Sequence, residues 1–149
     1  MRAMFPPGGK SRADDFRRAY YRRRKDDGKP LKWIESDYFE DESGCRLGVT
    51  WSKEGNGCWF LNLMEGKFDE AVLLCQIRTD AARVIHLPRP FVNRWWHSLS
   101  RDKKGEIKFK VVKHHGHFCI DPLKPADRVD VSEFVENEPL VCAVRKEYE

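Results

Sequence analysis

The sequence predicts an α+β domain, mixed α/β in its element order, with a central, largely antiparallel sheet flanked by an N-terminal helix and a Trp-rich helix. Three observations predict it. Residues 11–27 place apolar side chains at helical spacing, residues 31–87 hold short runs of aromatic and branched residues separated by turn sequences, and after Pro88 and Pro90 helical spacing returns.

Taken in order, Pro6, Pro7, Gly8 and Gly9 disfavour regular structure, so residues 1–10 are expected to form a flexible arm. Residues 11–149 then form one domain, as a chain of 149 residues suggests. Ser11 can cap a helix with Asp14 three positions on. Phe16, Ala19 and Tyr20 share its apolar face, and Gly28 and Pro30 stop it. LKWIESDYF, CRLGVTW and CWFLNLM, bounded by SG, EGNG and EGK turns, predict an antiparallel meander. AVLLCQIR is a nearly continuous apolar run and so the most buried strand, with RVIHLP its partner across a turn at Thr79 and Asp80. In FVNRWWHSLS, Phe91, Trp95 and Leu99 form an i, i+4, i+8 stripe that packs on the sheet, with Trp96 beside it. In DKKGEIKFKVVKHHGHF, Ile107, Phe109 and Val111 alternate with Glu106, Lys108 and Lys110, the period of a strand with one wet face. HFCI is its hairpin partner through Gly116, PLKPADRVDVSEFV a loop and short helix, and PLVCAVRKE a final strand.

Composition narrows the function classes. Hydrophobic residues at 40% and aromatics at 12% exceed the disordered range, while 35% charged residues demand a water-facing surface. No apolar run reaches the roughly 18 to 20 residues of a membrane span, and MRAMFPPGGKSR lacks a secretory apolar segment, so a cytoplasmic protein without a membrane partner is expected. Five cysteines without a CxxC pair suggest buried reduced thiols.

The net charge of +4 is unevenly distributed. Arg17, Arg18, Arg22, Arg24 and Lys25 on the first helix can pair with phosphates, and Lys103, Lys104, Lys108, Lys110 and Lys113 extend the footprint if their strand lies beside the helix. Tyr20, Tyr21 and Trp33 stand near the arginines, where bases of a single-stranded DNA or RNA partner can stack. The competing account is a solvated face on which Asp14, Asp15, Asp26 and Asp27 neutralise the arginines.

His115, His117 and Cys119 alternate, so an extended strand would bring them to one metal ion, with His97 or Asp121 as a further ligand. A turn at Gly116 would splay them and leave a positive, hydrogen-bonding edge containing His114 and His115. There is no GxSxG, and GGKS at 8–11 lacks the first glycine and the strand of a P-loop. An interaction module docking a protein partner through Trp96, with Trp95 and Phe91, is a further alternative.

Magnesium-assisted phosphodiester hydrolysis uses carboxylates to hold the ion and a lysine to orient the nucleophile. Two Glu-x-Lys triplets are present, Glu65-Gly66-Lys67 and Glu106-Ile107-Lys108. With these triplets, the run of amino-terminal helix, meander, AVLLCQIR, RVIHLP and Trp-rich helix over residues 11–112 resembles the restriction-endonuclease-like superfamily, whose pattern is an Asp on one strand and Glu-x-Lys on the next. The resemblance implies a small magnesium-dependent nuclease, or a degenerate relative that binds nucleic acid without cutting. It implies Asp41, Glu65 and Lys67 as the catalytic set, with Asp37 or Glu42 as substitutes for the first. Gly66, however, suggests a turn between Glu65 and Lys67. Glu106 and Lys108 have better strand character, but Asp102 and Asp80 do not stand where the partner acid should, which favours a basic binding strand over a catalytic one.

Overall fold

In the computed structural model, which describes residues 11–95, 99–121 and 128–142, helix α1 (Arg12–Asp26) begins where the capping signal places it. The Ser11 hydroxyl accepts from the Asp14 N–H at 3.1 Å, and the helix ends before Gly28, whose φ of 76° is a left-handed turn that glycine adopts without penalty. The expected arm at 1–10, Trp96, His97 and most of PLVCAVRKE lie outside the described residues.

The strands in chain order are β1 (Lys32–Glu35), β2 (Tyr38–Glu40), β3 (Arg46–Lys53), β4 (Cys58–Met64), β5 (Glu70–Arg78) and β6 (Ala81–Leu87). After α2 (Arg89–Trp95) come β7 (Ser100–Arg101), β8 (Glu106–His114), β9 (His117–Asp121), β10 (Val129–Asp130) and β11 (Leu140–Val141), with a 3-10 turn at Ser132–Phe134. The α+β class and the antiparallel character are as expected, but the strands divide between two sheets instead of sharing one. A six-stranded sheet runs β1-β2-β3-β5-β6-β11, and a five-stranded sheet runs β10-β9-β8-β4 with β7 also paired to β8. Among the described strands only β3 and β5 pair in parallel.

The expected meander is therefore corrected. LKWIESDYF is itself a hairpin of β1 and β2, and β4 leaves the first sheet to pair with β8, so β5 takes the place beside β3. Burial explains the exchange. β3 is buried on both faces over Leu47–Thr50 and needs cover above and below, whereas β4 alternates and buries only Trp59, Leu61 and Leu63. β5 is the buried centre that AVLLCQIR predicts, with Ala71, Val72, Leu73, Leu74 and Cys75 fully buried, and it turns through Thr79 and Asp80 into β6.

Two cores follow. α1 lays Phe16 and Tyr20 on Phe39, Leu47, Val49, Val72, Leu74 and Val84 of the six-stranded sheet. The opposite face of that sheet, with Tyr38, Leu73, Ile85 and Leu87, packs on Trp59, Leu61, Leu63, Ile107, Phe109, Val111 and Ile120 of the second sheet. The sheets approach closely at Gly48, where a Cβ would stand 2.6 Å from Leu63 Cδ2, and they are bonded where Met64 N–H donates to Tyr38 Oη at 2.6 Å. Phe91 of α2 packs 5.3 Å from the Phe134 ring and closes one end of this core. The layer order is helix, six-stranded sheet, five-stranded sheet.

Candidate nucleic-acid interface

The outer face of the second sheet follows from strand period. With Trp59, Leu61 and Leu63 inward on β4, the intervening Cys58, Phe60 and Asn62 point outward; with Ile107, Phe109 and Val111 inward on β8, Glu106, Lys108 and Lys110 do the same. Cross-strand register sets Phe60 opposite Lys110 and Asn62 opposite Lys108. Phe60 is 61% exposed, the Lys110 ammonium lies 6.0 Å from its ring centroid, and Lys110 also reaches Asp121 at 3.8 Å. Asp121 is held more firmly by two nitrogens of Arg128, whose Nη1 also meets His114 Nδ1 at 3.1 Å. Lys103, Lys104, Lys108 and Lys113 are exposed and none forms a close ion pair with a carboxylate among the described residues, although Lys108 acts on Asp102 at longer range. Lys113 lies 5.5 Å from the Phe118 ring at the end of the same strand.

The helix arginines are placed differently. Arg17 donates from Nε to the Val49 carbonyl at 2.9 Å and pairs with Asp14 at 2.8 Å and Asp37 at 2.7 Å, so its guanidinium fastens α1 to the sheet. Arg18 pairs with Asp15 at 3.3 Å, and Arg24 donates to the Lys29 carbonyl at 3.0 Å and to Tyr20 Oη at 3.4 Å. Arg22 and Lys25 are exposed. Because α1 covers the first sheet and Lys108 and Lys110 face away from the second, both sheets stand between the two cationic groups. The single footprint expected from the sequence is not formed. Nor do the expected aromatics make a platform beside the helix. Tyr20 is buried, Tyr21 packs 6.3 Å from the Phe39 ring, and Trp33 is half-buried with its indole N–H on the Ser36 carbonyl. Phe60 was not singled out by the sequence, although its phase within CWFLNLM, opposite to Trp59 and Leu61, marks it as outward-facing.

The candidate catalytic residues occupy turns or an open strand. Asp41 Oδ1 accepts from the Ser43 N–H at 2.9 Å, the Ser43 hydroxyl at 2.7 Å and the Cys45 N–H at 3.0 Å. Desolvation alone would raise its carboxyl, and these bonds outweigh it and hold the group below the ordinary range. Glu65, Gly66 and Lys67 form the turn after β4, as Gly66 suggested, with Gly66 at a φ of 84° and Lys67 paired to Glu35 at 2.9 Å. Asp37, the substitute, is spent on Arg17, and Glu42 is exposed. Glu106 and Lys108 share the outer face of β8, and Asp102 Oδ1 shapes the preceding turn by accepting from Lys104 and Glu106 N–H at 2.8 and 3.0 Å. Among the described residues no group of three His, Cys, Asp or Glu side chains converges in a way that would hold an ion, so no magnesium-binding set is assembled there.

His115 and Gly116, at φ 52° and 81°, form the two-residue turn between β8 and β9. His115 sits at its tip, while His114 and His117 close the hairpin opposite each other. His117 Nδ1 meets Asp130 at 3.0 Å and His114 Nδ1 faces Arg128, so the expected pairing of His115 with His117 around a metal is replaced by separate hydrogen bonds. Together with Cys119 they border an open depression of about 470 Å³ at the end of the lysine-bearing face. No protein-family model, curated protein or solved structure matches the chain.

Proposed function

We propose that the chain binds a single-stranded nucleic acid on the outer face of its five-stranded sheet. The observation that carries this reading is Phe60, an aromatic ring 61% exposed on a sheet face and directly across from Lys110, with exposed Lys108 diagonal to it. A base stacks on an aromatic face whatever its identity, and neighbouring ammonium groups attract the phosphates on either side. Arg128 and the hairpin histidines extend the positive and hydrogen-bonding edge of the same face. Glu106, Asp121 and Asp130 temper its charge, which suits a modest, salt-sensitive affinity. This reading gives the arginine helix no part in the footprint and leaves the two Glu-x-Lys triplets without a catalytic role.

Fluorescence anisotropy with a labelled single-stranded oligonucleotide across a salt series tests it. Binding is expected to weaken with salt, and the slope is expected to become shallower by about 0.7 when Lys108→Ala or Lys110→Ala takes away one phosphate's cationic partner. Phe60→Ala is expected to weaken binding about 5- to 150-fold, the range of one stacked base. Salt-independent or absent binding, or a Phe60→Ala variant of unchanged affinity, defeats the proposal. Adding magnesium and resolving the products separates binding from cleavage: shortened oligonucleotides that disappear in Glu106→Ala would restore the nuclease reading.

A further inference from the structure

The described structure contains a second cluster of chemically capable side chains, on the helix side of the six-stranded sheet and away from Phe60. A cavity of about 240 Å³ beneath the last turns of α1 is lined by Tyr20, Arg23, Arg24, Asp27, Lys29, His86 and Glu136. Strand period brings His86 there: it is in phase with Ala82 and Val84, which belong to the helix-facing core. Glu70 orients its ring. His86 Nε2 and Glu70 Oε1 are 2.8 Å apart, and Glu70 Oε2 accepts from the Arg89 N–H at 3.1 Å. A carboxylate accepts the Nε2 proton, which leaves His86 Nδ1 as the basic nitrogen, and Nδ1 has no partner among the described residues.

Tyr20 is the second observation. It is 1% exposed, yet its hydroxyl only accepts, from Arg24 Nη1 at 3.4 Å, and its proton finds no acceptor among the described residues. The hydroxyl thus has one long bond as an acceptor and a donor capacity that no described residue uses, on the wall of a cavity where a ligand oxygen can take it. Burial also pushes the Tyr20 phenol up to about 12, so the group is a neutral donor at physiological pH. The charges around it favour an anion. Arg23, Arg24 and Lys29 line it with Glu136 and Asp27, an excess of one positive charge, and Glu136 is already ion-paired with Arg23. Arginines in a last helical turn also offset the helix dipole, which accounts for their presence. The dipole accounts neither for the unused donor of the Tyr20 hydroxyl nor for a histidine oriented by a carboxylate.

We propose that this cavity binds a phosphate group, as inorganic phosphate or as a phosphate monoester. Phosphate oxygens accept from the Tyr20 O–H and from the Arg24 and Lys29 cations, while the remaining P–O–H of a monoanion donates to His86 Nδ1. One ligand of this class thereby satisfies both the orphaned donor and the orphaned acceptor. The site lies on the far side of the six-stranded sheet from the proposed nucleic-acid face and stands independently of it.

Isothermal titration calorimetry of the full chain with inorganic phosphate and with phenyl phosphate, at ionic strength held constant with chloride, tests the proposal and separates the two sources. Saturable binding of at least one ligand is expected. Tyr20→Phe retains the packing and removes only the hydroxyl, and it is expected to lower the affinity about 10- to 150-fold, as the loss of a hydrogen bond to a charged group does. Its melting temperature without ligand is expected to stay close to that of the wild type, since the hydroxyl's one printed bond, accepted from Arg24, is long at 3.4 Å. His86→Gln, on a different element, is expected to weaken binding as well, and Phe60→Ala to leave it unchanged. No saturable heat with either ligand, or equal affinity in the wild type and both cavity variants, overturns the proposal.

Discussion

Trp59 and Phe60 are adjacent on β4, yet one is 1% and the other 61% exposed. The difference is set by strand period, which turns Trp59 toward Phe118 at 5.7 Å, with its indole N–H on the Gln76 carbonyl at 2.9 Å. Trp59→Ala is therefore expected to cost about 3–5 kcal/mol, the usual range for a deleted core aromatic, and Phe60→Ala to stay within about 0.5 kcal/mol. Urea denaturation of the two variants measures both. A Phe60 loss of the Trp59 size would mean that another part of the chain covers this ring. The alternation that separates these residues is legible in CWFLNLM. What the sequence does not disclose is whether a further layer covers the outward side, because that depends on how many sheets the strands make. Asp41 carries a similar lesson. The Asp-x-Ser spacing before Cys45 is the signature of an aspartate that bonds its own turn, and that local role commits Oδ1 to three donors.

At the scale of elements, α1 was readable at both ends because cap and stop signals are local: Ser11 bonds Asp14, and Gly28 ends the helix. The hairpin through Gly116 and the β5–β6 pair were readable for the same reason. The duties of the arginines were not, since Arg17 reaches Val49 and Asp37, far along the chain. Arg17→Ala is expected to cost about 2–3 kcal/mol by leaving those acceptors unmet. Asp37→Asn is expected to cost less than about 1 kcal/mol, because desolvation raises the Asp37 carboxyl even with Arg17 beside it, so ionisation of this group works against folding as pH rises above the ordinary 3.8. Denaturation at pH 7 compares the two. Equal losses would show that the ion pair, and not the bond to the Val49 carbonyl, fastens the helix.

Across the whole molecule, the feature least visible in the sequence is the division into two sheets. β3, β4 and β5 follow one another in the chain, but β4 belongs to the second sheet and returns the chain to lie parallel with β3, a pairing that no local turn signal specifies. That division separates the arginine helix from the lysine strand. It also distributes the turn-forming aspartates: Asp41 serves the first sheet, Asp102 and Asp130 the second. All three carboxyls are lowered from the ordinary 3.8. At Asp41 the turn bonds overcome an opposing desolvation, and at Asp102 and Asp130 backbone N–H donors, from Glu106 and Ser132 respectively, act first. A lowered carboxyl means that the unfolded chain binds more protons as pH falls below 3.8, so the stability these groups contribute is present above that value and is lost as pH drops through their folded values. Asp37 has the opposite sign and offsets only part of this. Urea midpoints between pH 7 and pH 2 are expected to decline steeply only on the acid limb. Replacing Asp41, Asp102 and Asp130 together by Asn, which keeps an acceptor oxygen in each turn but no charge, is expected to make that limb shallower. An acid limb as steep in the triple variant as in the wild type would move the acid sensitivity to other carboxylates and leave these turns held equally well by neutral acceptors.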